Sequence, residues 1–293
     1  MLPCIYDHGT NMRATIVYFS QTGNTEQVAY AIYDRLQAAG FNTTPLLFED
    51  VADFPEAIEG VDILGVGFPT FFGYMPRFFE KFLKGLKKVK GTSAFAFTTY
   101  GGATAGDGLY DAARVLASKG YRVLGGLKVE GSDNYPQGVA LEINKGRPNV
   151  DDLEAAGRFA DLVLEAHRAG KALDPGKLAS PTPFFVRNRG KPKDALLKKM
   201  RKEIEGTIVF NKEQCLFCET CKKSCPTRSI ATGEKFPEFS WKCIDGLRCY
   251  QCVRVCPGKA LSVEYPGPLE DYRKFRAAAA DSPEEKLRCM ILA

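Results

Sequence analysis

Residues 14–40 read ATIVYFSQTGNTEQVAYAIYDRLQAAG: a short, mostly apolar run, a loop of small polar residues, then a segment in which Val28, Ile32 and Leu36 recur every four positions before Gly40. An apolar run without alternation fits a strand buried on both faces. Apolar residues at every fourth position, closed by a glycine, predict an amphipathic helix over Thr25–Ala39. Strand, tight loop, helix is the opening unit of a sheet whose strands run parallel and are covered by helices.

The same alternation continues outward. Strands are expected at Ala14–Phe19, Thr44–Phe48, Val61–Gly67, Ser93–Thr98 and Arg122–Val129, and further helices at Pro76–Leu86, Gly106–Ser118 and Val150–Arg168. The expectation is an α/β, doubly wound, five-stranded parallel sheet over residues 13–170, followed by a small α+β unit. From 171 to 206 the composition turns to Pro, Gly and Lys, which reads as a surface linker ending in a short helix. A cysteine-rich domain is expected at 207–265 and a helical tail at 266–293.

At the loop, Ser20, Gln21, Thr22, Gly23, Asn24 and Thr25 bring hydroxyls and unpaired backbone N–H groups to the start of a helix. A phosphate monoester suits such a place, because the helix end supplies free donors and partial positive charge. The loop holds neither Lys nor Arg, which sets it apart from an ATP-binding P-loop. Read alone, these residues would serve equally well as an ordinary helix cap.

Two later loops leave the carboxyl ends of the third and fourth strands, where ligands bind in doubly wound sheets. They are FPTFFGYMP, 68–76, and TTYGGATAGDG, 98–108. Phe71, Phe72 and Tyr100 offer flat faces for an isoalloxazine ring, and Gly73, Gly101 and Gly102 are expected to let the main chain approach its polar edge. As an alternative, such aromatics simply cap the core. Asp107 reads as the cap of the helix that follows. His8 and His167 have no companion that would make a catalytic group, and no catalytic acid or base is assigned.

Of ten cysteines, eight fall between Cys215 and Cys256, with Cys4 and Cys289 isolated near the ends as ordinary thiols. Clustering of this kind argues for metal ligation in a reducing, cytoplasmic setting and against a disulfide framework. Cys215, Cys218, Cys221 and Cys225 are spaced C-x2-C-x2-C-x3-C and followed by Pro226, the ferredoxin run. Cys249, Cys252, Cys256 and Pro257 repeat it, except that Cys243 precedes Cys249 by five intervening residues instead of two. Zinc would ask for paired C-x2-C knuckles and leaves the fourth cysteine and the proline unexplained.

The cysteine segment resembles the two-cluster bacterial-type ferredoxins, and residues 13–170 resemble the flavodoxin family, with SQTGNT matching its phosphate loop. The resemblance implies FMN, with Ser20–Thr25 on the phosphate and Pro69, Thr70, Phe71, Phe72, Gly73, Thr99, Tyr100, Gly101 and Gly102 around the ring. It also implies two [4Fe–4S] clusters whose ligands cross over: Cys215, Cys218, Cys221 and Cys256 on one, Cys243, Cys249, Cys252 and Cys225 on the other. The whole chain is similar in order and size to flavodoxin/ferredoxin fusions of anaerobes. Neither flavin loop carries a tryptophan, the single Trp241 lying in the cysteine-rich region.

Such a chain is expected to carry electrons between FMN, the clusters and a redox partner protein. The alternative is an FMN-dependent reductase of a quinone, metal ion or oxygen. A roofed cavity beside the ring would separate the second from the first. The net charge of +5 comes from residues 187–202, where eight Lys or Arg face Asp194 alone. This stretch reads as a solvated strap, and a chain not broadly basic gives little support to nucleic-acid binding, so no nucleic-acid partner is expected. No apolar stretch approaches the roughly 20 residues that cross a bilayer, and no secretory leader or dinucleotide fingerprint is expected.

Overall fold

The computed structural model describes residues 12–53, 55–240, 243, 248–287 and 289–293. In chain order these form β1 (Arg13–Tyr18), α1 (Asn24–Ala38), β2 (Asn42–Leu47), α2 (Phe48–Asp53), β3 (Ile63–Pro69), α3 (Arg77–Gly85), β4 (Ser93–Tyr100), α4 (Gly108–Ser118), β5 (Arg122–Glu130), α5 (Pro136–Ala140) and α6 (Val150–Arg168). There follow α7 (Pro183–Asn188), α8 (Lys193–Ile204), β6 (Thr207–Phe210), α9 (Thr220–Lys223), β7 (Ile230–Thr232), β8 (Pro237–Phe239), α10 (Gln251–Arg254), β9 (Leu261–Glu264), α11 (Leu269–Ala278), α12 (Pro283–Leu287) and β10 (Met290–Leu292).

The main sheet has the order β10-β5-β4-β3-β1-β2. Its first five strands by sequence all pair in parallel. Both faces are covered, which is why neighbouring residues of one strand are buried on opposite sides: Val17 packs with Leu64, Phe79 and Leu116, whereas Ile16 packs with Ile32, Phe97 and Phe159. In α1 the predicted face is the buried one, with Val28, Ile32 and Leu36 inaccessible to solvent. The chain changes direction between β1 and β3, and the crevice at their carboxyl ends is where a ligand belongs.

Two expectations are corrected. The sheet is six-stranded and mixed, because the last residues of the tail pair antiparallel with β5 through Met290–Leu127, Ile291–Gly126 and Leu292–Gly125. The tail is therefore not wholly helical. Nor is 187–202 a free strap: Arg189 pairs with the buried Asp107 at 2.8 Å and Lys193 with the buried Asp111 at 2.6 Å. Burying those carboxylates requires a cation beside them, and the basic run supplies it. Around these pairs Phe185, Leu197 and Met200 pack with Tyr74, fixing α7 and α8 against the flavin-loop end of the sheet.

The cysteine-rich part is slighter. Among its described residues are two separate two-stranded ladders, β6 with β9 and β7 with β8, and a core of Ile208, Cys221, Ile230, Tyr250 and Leu261.

Candidate flavin and iron–sulfur sites

The loop after β1 enters α1 through Gly23, whose φ of 86° is a left-handed conformation that suits glycine, and no side chain caps the first turn. Ser20 Oγ is buried without a hydrogen-bond partner, an arrangement that costs free energy unless a ligand completes it. The other side chains of the loop are engaged. Thr25 shares a 2.8 Å hydrogen bond with Thr99, Asn24 donates to the Ser132 carbonyl at 3.1 Å, and Thr22 accepts from Asn134. Gln21 donates from Nε2 to the main-chain carbonyl of Cys249 at 2.8 Å.

Above this loop lies a cavity lined by Ser20, Gln21, Thr22, Asn24 and Thr25, by Pro69–Gly73, and by Thr99, Tyr100 and Gly101. Gly23 and Gly102 stand outside that wall. A Cβ at Gly73 would strike Phe185, at Gly101 Asp133, and at Gly102 Asn144. Their bareness serves packing of the surrounding loops. Phe72 stands edge-on to Tyr135 and to Phe275, each with centroids 6.1 Å apart, and Tyr135 stacks on Tyr272 at 5.8 Å. An apolar cradle for a flat ring with an orphaned hydroxyl at its foot fits FMN.

Much of the wall was not foreseen from sequence. Ser132, Asp133, Asn134 and Tyr135 come from the loop after β5, Met200 and Ile204 from α8, and Tyr272, Phe275 and Arg276 from α11, which supplies a further wall. Asp133 anchors that wall: its carboxylate accepts from Tyr272 Oη at 2.8 Å and from Arg276, while Arg276 Nη2 donates to the Gly101 carbonyl at 2.5 Å. Burial raises the Asp133 carboxyl above the ordinary carboxylate range, and the Arg276 charge works against that rise. The GSDNYP segment at the carboxyl end of the fifth strand was a signal that could have found the first group.

Asp107 is also corrected. It occupies the position before α4, yet its carboxylate makes no cap; it accepts from Ser180 N at 2.9 Å and from Arg189. His167 shares a 2.8 Å hydrogen bond with Ser93 Oγ, away from the cavity.

Among the cysteines, Cys225, Cys243, Cys249 and Cys252 line one small cavity with Ile208, Ile230, Phe239 and Tyr250. Cys249 lines the flavin cavity as well. On the other side Cys221 lies within electrostatic range of Cys256 and Cys218, and Cys218 is exposed. Cys215 follows the turn after β6 and is partly buried. The described cysteines are thiols, not disulfides, whereas Cys4, His8 and Trp241 lie outside the described residues. Among the described residues no three His, Cys, Asp or Glu side chains converge on a single-ion site.

Hydrogen-bond donors reach the sulfurs: Ser229 N to Cys225 Sγ at 3.3 Å and Thr220 Oγ1 to Cys218 Sγ at 3.3 Å. Such donors tune a cluster's potential. Burial pushes the Cys249 thiol up to about 11 and the Cys252 thiol up to about 12, so binding metal there displaces protons.

Two family models match the chain in this order: flavodoxin over residues 16–137 and a 4Fe-4S dicluster domain over 207–257. An uncharacterized protein of Methanocaldococcus jannaschii is 32% identical over 159 residues, covering 53% of this chain and 99% of its own. The chain belongs to the flavodoxin family and carries a 4Fe–4S domain behind its flavodoxin domain. Its flavodoxin domain implies FMN, its second domain implies iron–sulfur clusters, and together they make it an electron-transfer flavoprotein. Among solved structures, an archaeal flavodoxin aligns with 54% of the chain and 99% of its own length at 22% identity and a TM-score of 0.42. Rubredoxin oxygen:oxidoreductase of Desulfovibrio gigas aligns with 55% of the chain but 37% of its own, at 18% identity and a TM-score of 0.44. No helix among the described residues is long and apolar enough to cross a membrane.

Proposed function

We propose that the chain passes electrons between one FMN and two [4Fe–4S] clusters and, through them, to a separate redox partner protein. The observation that carries this reading is Cys249, which lines both the flavin cavity and the cavity of four cysteines. A ligand shared between two walls leaves the two carriers no intervening domain to cross. On this reading Ser20–Thr25 hold the phosphate, and Pro69–Gly73 with Thr99–Gly102 hold the ring. Cys215, Cys218, Cys221 and Cys256 hold one cluster; Cys225, Cys243, Cys249 and Cys252 hold the other. Residues 13–170 with the returning tail 266–293 form the flavin unit, 207–265 the cluster unit, and 171–206 joins them. Eight thiols reserved for iron fit the cytoplasm.

FMN supplies a carrier that exchanges electrons in pairs or singly, while each cluster handles one. The chain's own part is to fix the distance, exclude water and set the hydrogen bonds around both. A second reading, reduction of a small molecule such as a quinone at the flavin, is favoured by one feature: Tyr272, Phe275 and Arg276 give the cavity a further wall, which a pure carrier with an exposed ring edge does not need. The test is anaerobic purification with iron, sulfide and flavin analysis and electron paramagnetic resonance (EPR). About eight irons and one FMN per chain are expected; zinc in place of iron, or no flavin, would sink the proposal.

A further inference from the structure

The ferredoxin half meets the flavin cavity through its second cysteine motif. Besides the hydrogen bond from Gln21 to the Cys249 carbonyl, Arg254 Nη2 donates to the Asn134 carbonyl at 2.7 Å, and Tyr250 stands edge-on to Tyr135 with centroids 5.1 Å apart. Asn134 in turn donates to Thr22 of the phosphate loop. The first motif is placed differently. Its Cys218 is exposed, and the preceding Leu216 and Phe217 are 63% and 59% exposed.

Resting on the flavin–cluster reading above, we infer that the two clusters act in a fixed order. The cluster of Cys225, Cys243, Cys249 and Cys252 faces the flavin, and that of Cys215, Cys218, Cys221 and Cys256 faces solvent. Gln21 is the positioning residue that couples the phosphate loop to the inner cluster. Its amide fixes the distance between the loop and the peptide of a ligand, and it polarises that peptide's carbonyl. A flavin bound there as its anionic hydroquinone would hand its two electrons over singly by way of the inner cluster. With one electron on each cluster such a flavin would be fully oxidised, and the single proton of its anionic hydroquinone would go to water. Electrons leave the outer cluster one at a time for an oxidised one-electron carrier protein, and reverse traffic follows the same order.

Coupling between two sites is reciprocal, so FMN must act on the inner cluster and spare the outer one. The test is an EPR-monitored redox titration of the full chain, loaded with iron and sulfide, after FMN has been dialysed away and again after it is restored. Cys218→Ser and Cys252→Ser, each checked for iron content, assign the two cluster signals. FMN is expected to shift the midpoint potential and spectrum of the signal missing from Cys252→Ser, and to leave in place the one missing from Cys218→Ser. Gln21→Met keeps the side chain's length and removes the donor to the Cys249 carbonyl; it should abolish most of the shift.

A shift on the Cys218 signal, on both signals equally or on neither overturns the order. If one cysteine variant loses both clusters, the other assigns the signals by difference. If both do, Gln21→Met in the intact chain decides, because the inference requires it to alter one signal only. A wild-type chain without FMN affinity or without cluster signals would instead overturn the reading beneath the inference.

Discussion

The two halves of the molecule are held together by different forces. The flavodoxin half has a finished apolar core in which Phe68, Phe79, Phe95, Phe97 and Phe159 are fully buried between sheet and helices. Among its described residues the ferredoxin half has a core of Ile208, Cys221, Ile230, Tyr250 and Leu261, and ladders of two strands each, a size that is marginal in water without further support. One half presents its cofactor with a ready surface. The other uses its cofactor as part of the fold, so ligation there is folding free energy.

The sharpest way to break this contrast is to remove the iron. Chelation under oxidising conditions should abolish ordered structure over 207–264 while leaving the 13–170 sheet folded, as read by amide hydrogen exchange of the two segments. Uniform protection in both would show that the ferredoxin half stands without its clusters. The converse experiment is Thr22→Glu. A carboxylate set against the flavin phosphate costs several kcal/mol, so FMN affinity should fall on the order of a hundredfold with iron content unchanged. Unaltered flavin binding would remove the phosphate assignment.

The smallest effect sharpens the account of the core. His167, hydrogen-bonded to Ser93, is held below the ordinary histidine range by desolvation first and by the Arg122 charge second. Its folded-state value lies beneath the unfolded 6.5, so the unfolded chain gains the proton first on acidification. The stability that neutral His167 contributes is present above about pH 6.5 and is lost as pH falls through the folded value. Melting midpoints compared between about pH 7.5 and 5.5 should drop less in His167→Gln than in the wild type; equal drops would assign the acid sensitivity elsewhere.

Most of the flavodoxin half was legible because strand, loop and helix alternate in Ala14–Gly40 and onward, and each predicted strand contributes to the sheet. What escaped notice depends on contacts across long separations. Met290–Leu292 is too short to show any period, so nothing in it announces an antiparallel partner for β5. Arg189 and Lys193 looked like a solvated run because Asp107 and Asp111, the carboxylates they neutralise, lie 82 residues earlier. Tyr272, Phe275 and Arg276 share one helical face, and that spacing reads as core packing whether the face covers a core or a cavity. The cysteine spacing announced itself, but which motif faces the flavin is a matter of docking, which spacing does not encode.

The central claim, that flavin and clusters trade electrons inside one chain, is tested most directly by flash reduction of the FMN in protein whose clusters are oxidised. Flavin reoxidation and cluster bleaching should share one rate that does not change with protein concentration, as expected for carriers held together covalently. A rate that rises in proportion to protein concentration, or flavin reoxidation without bleaching of the clusters, would contradict the account.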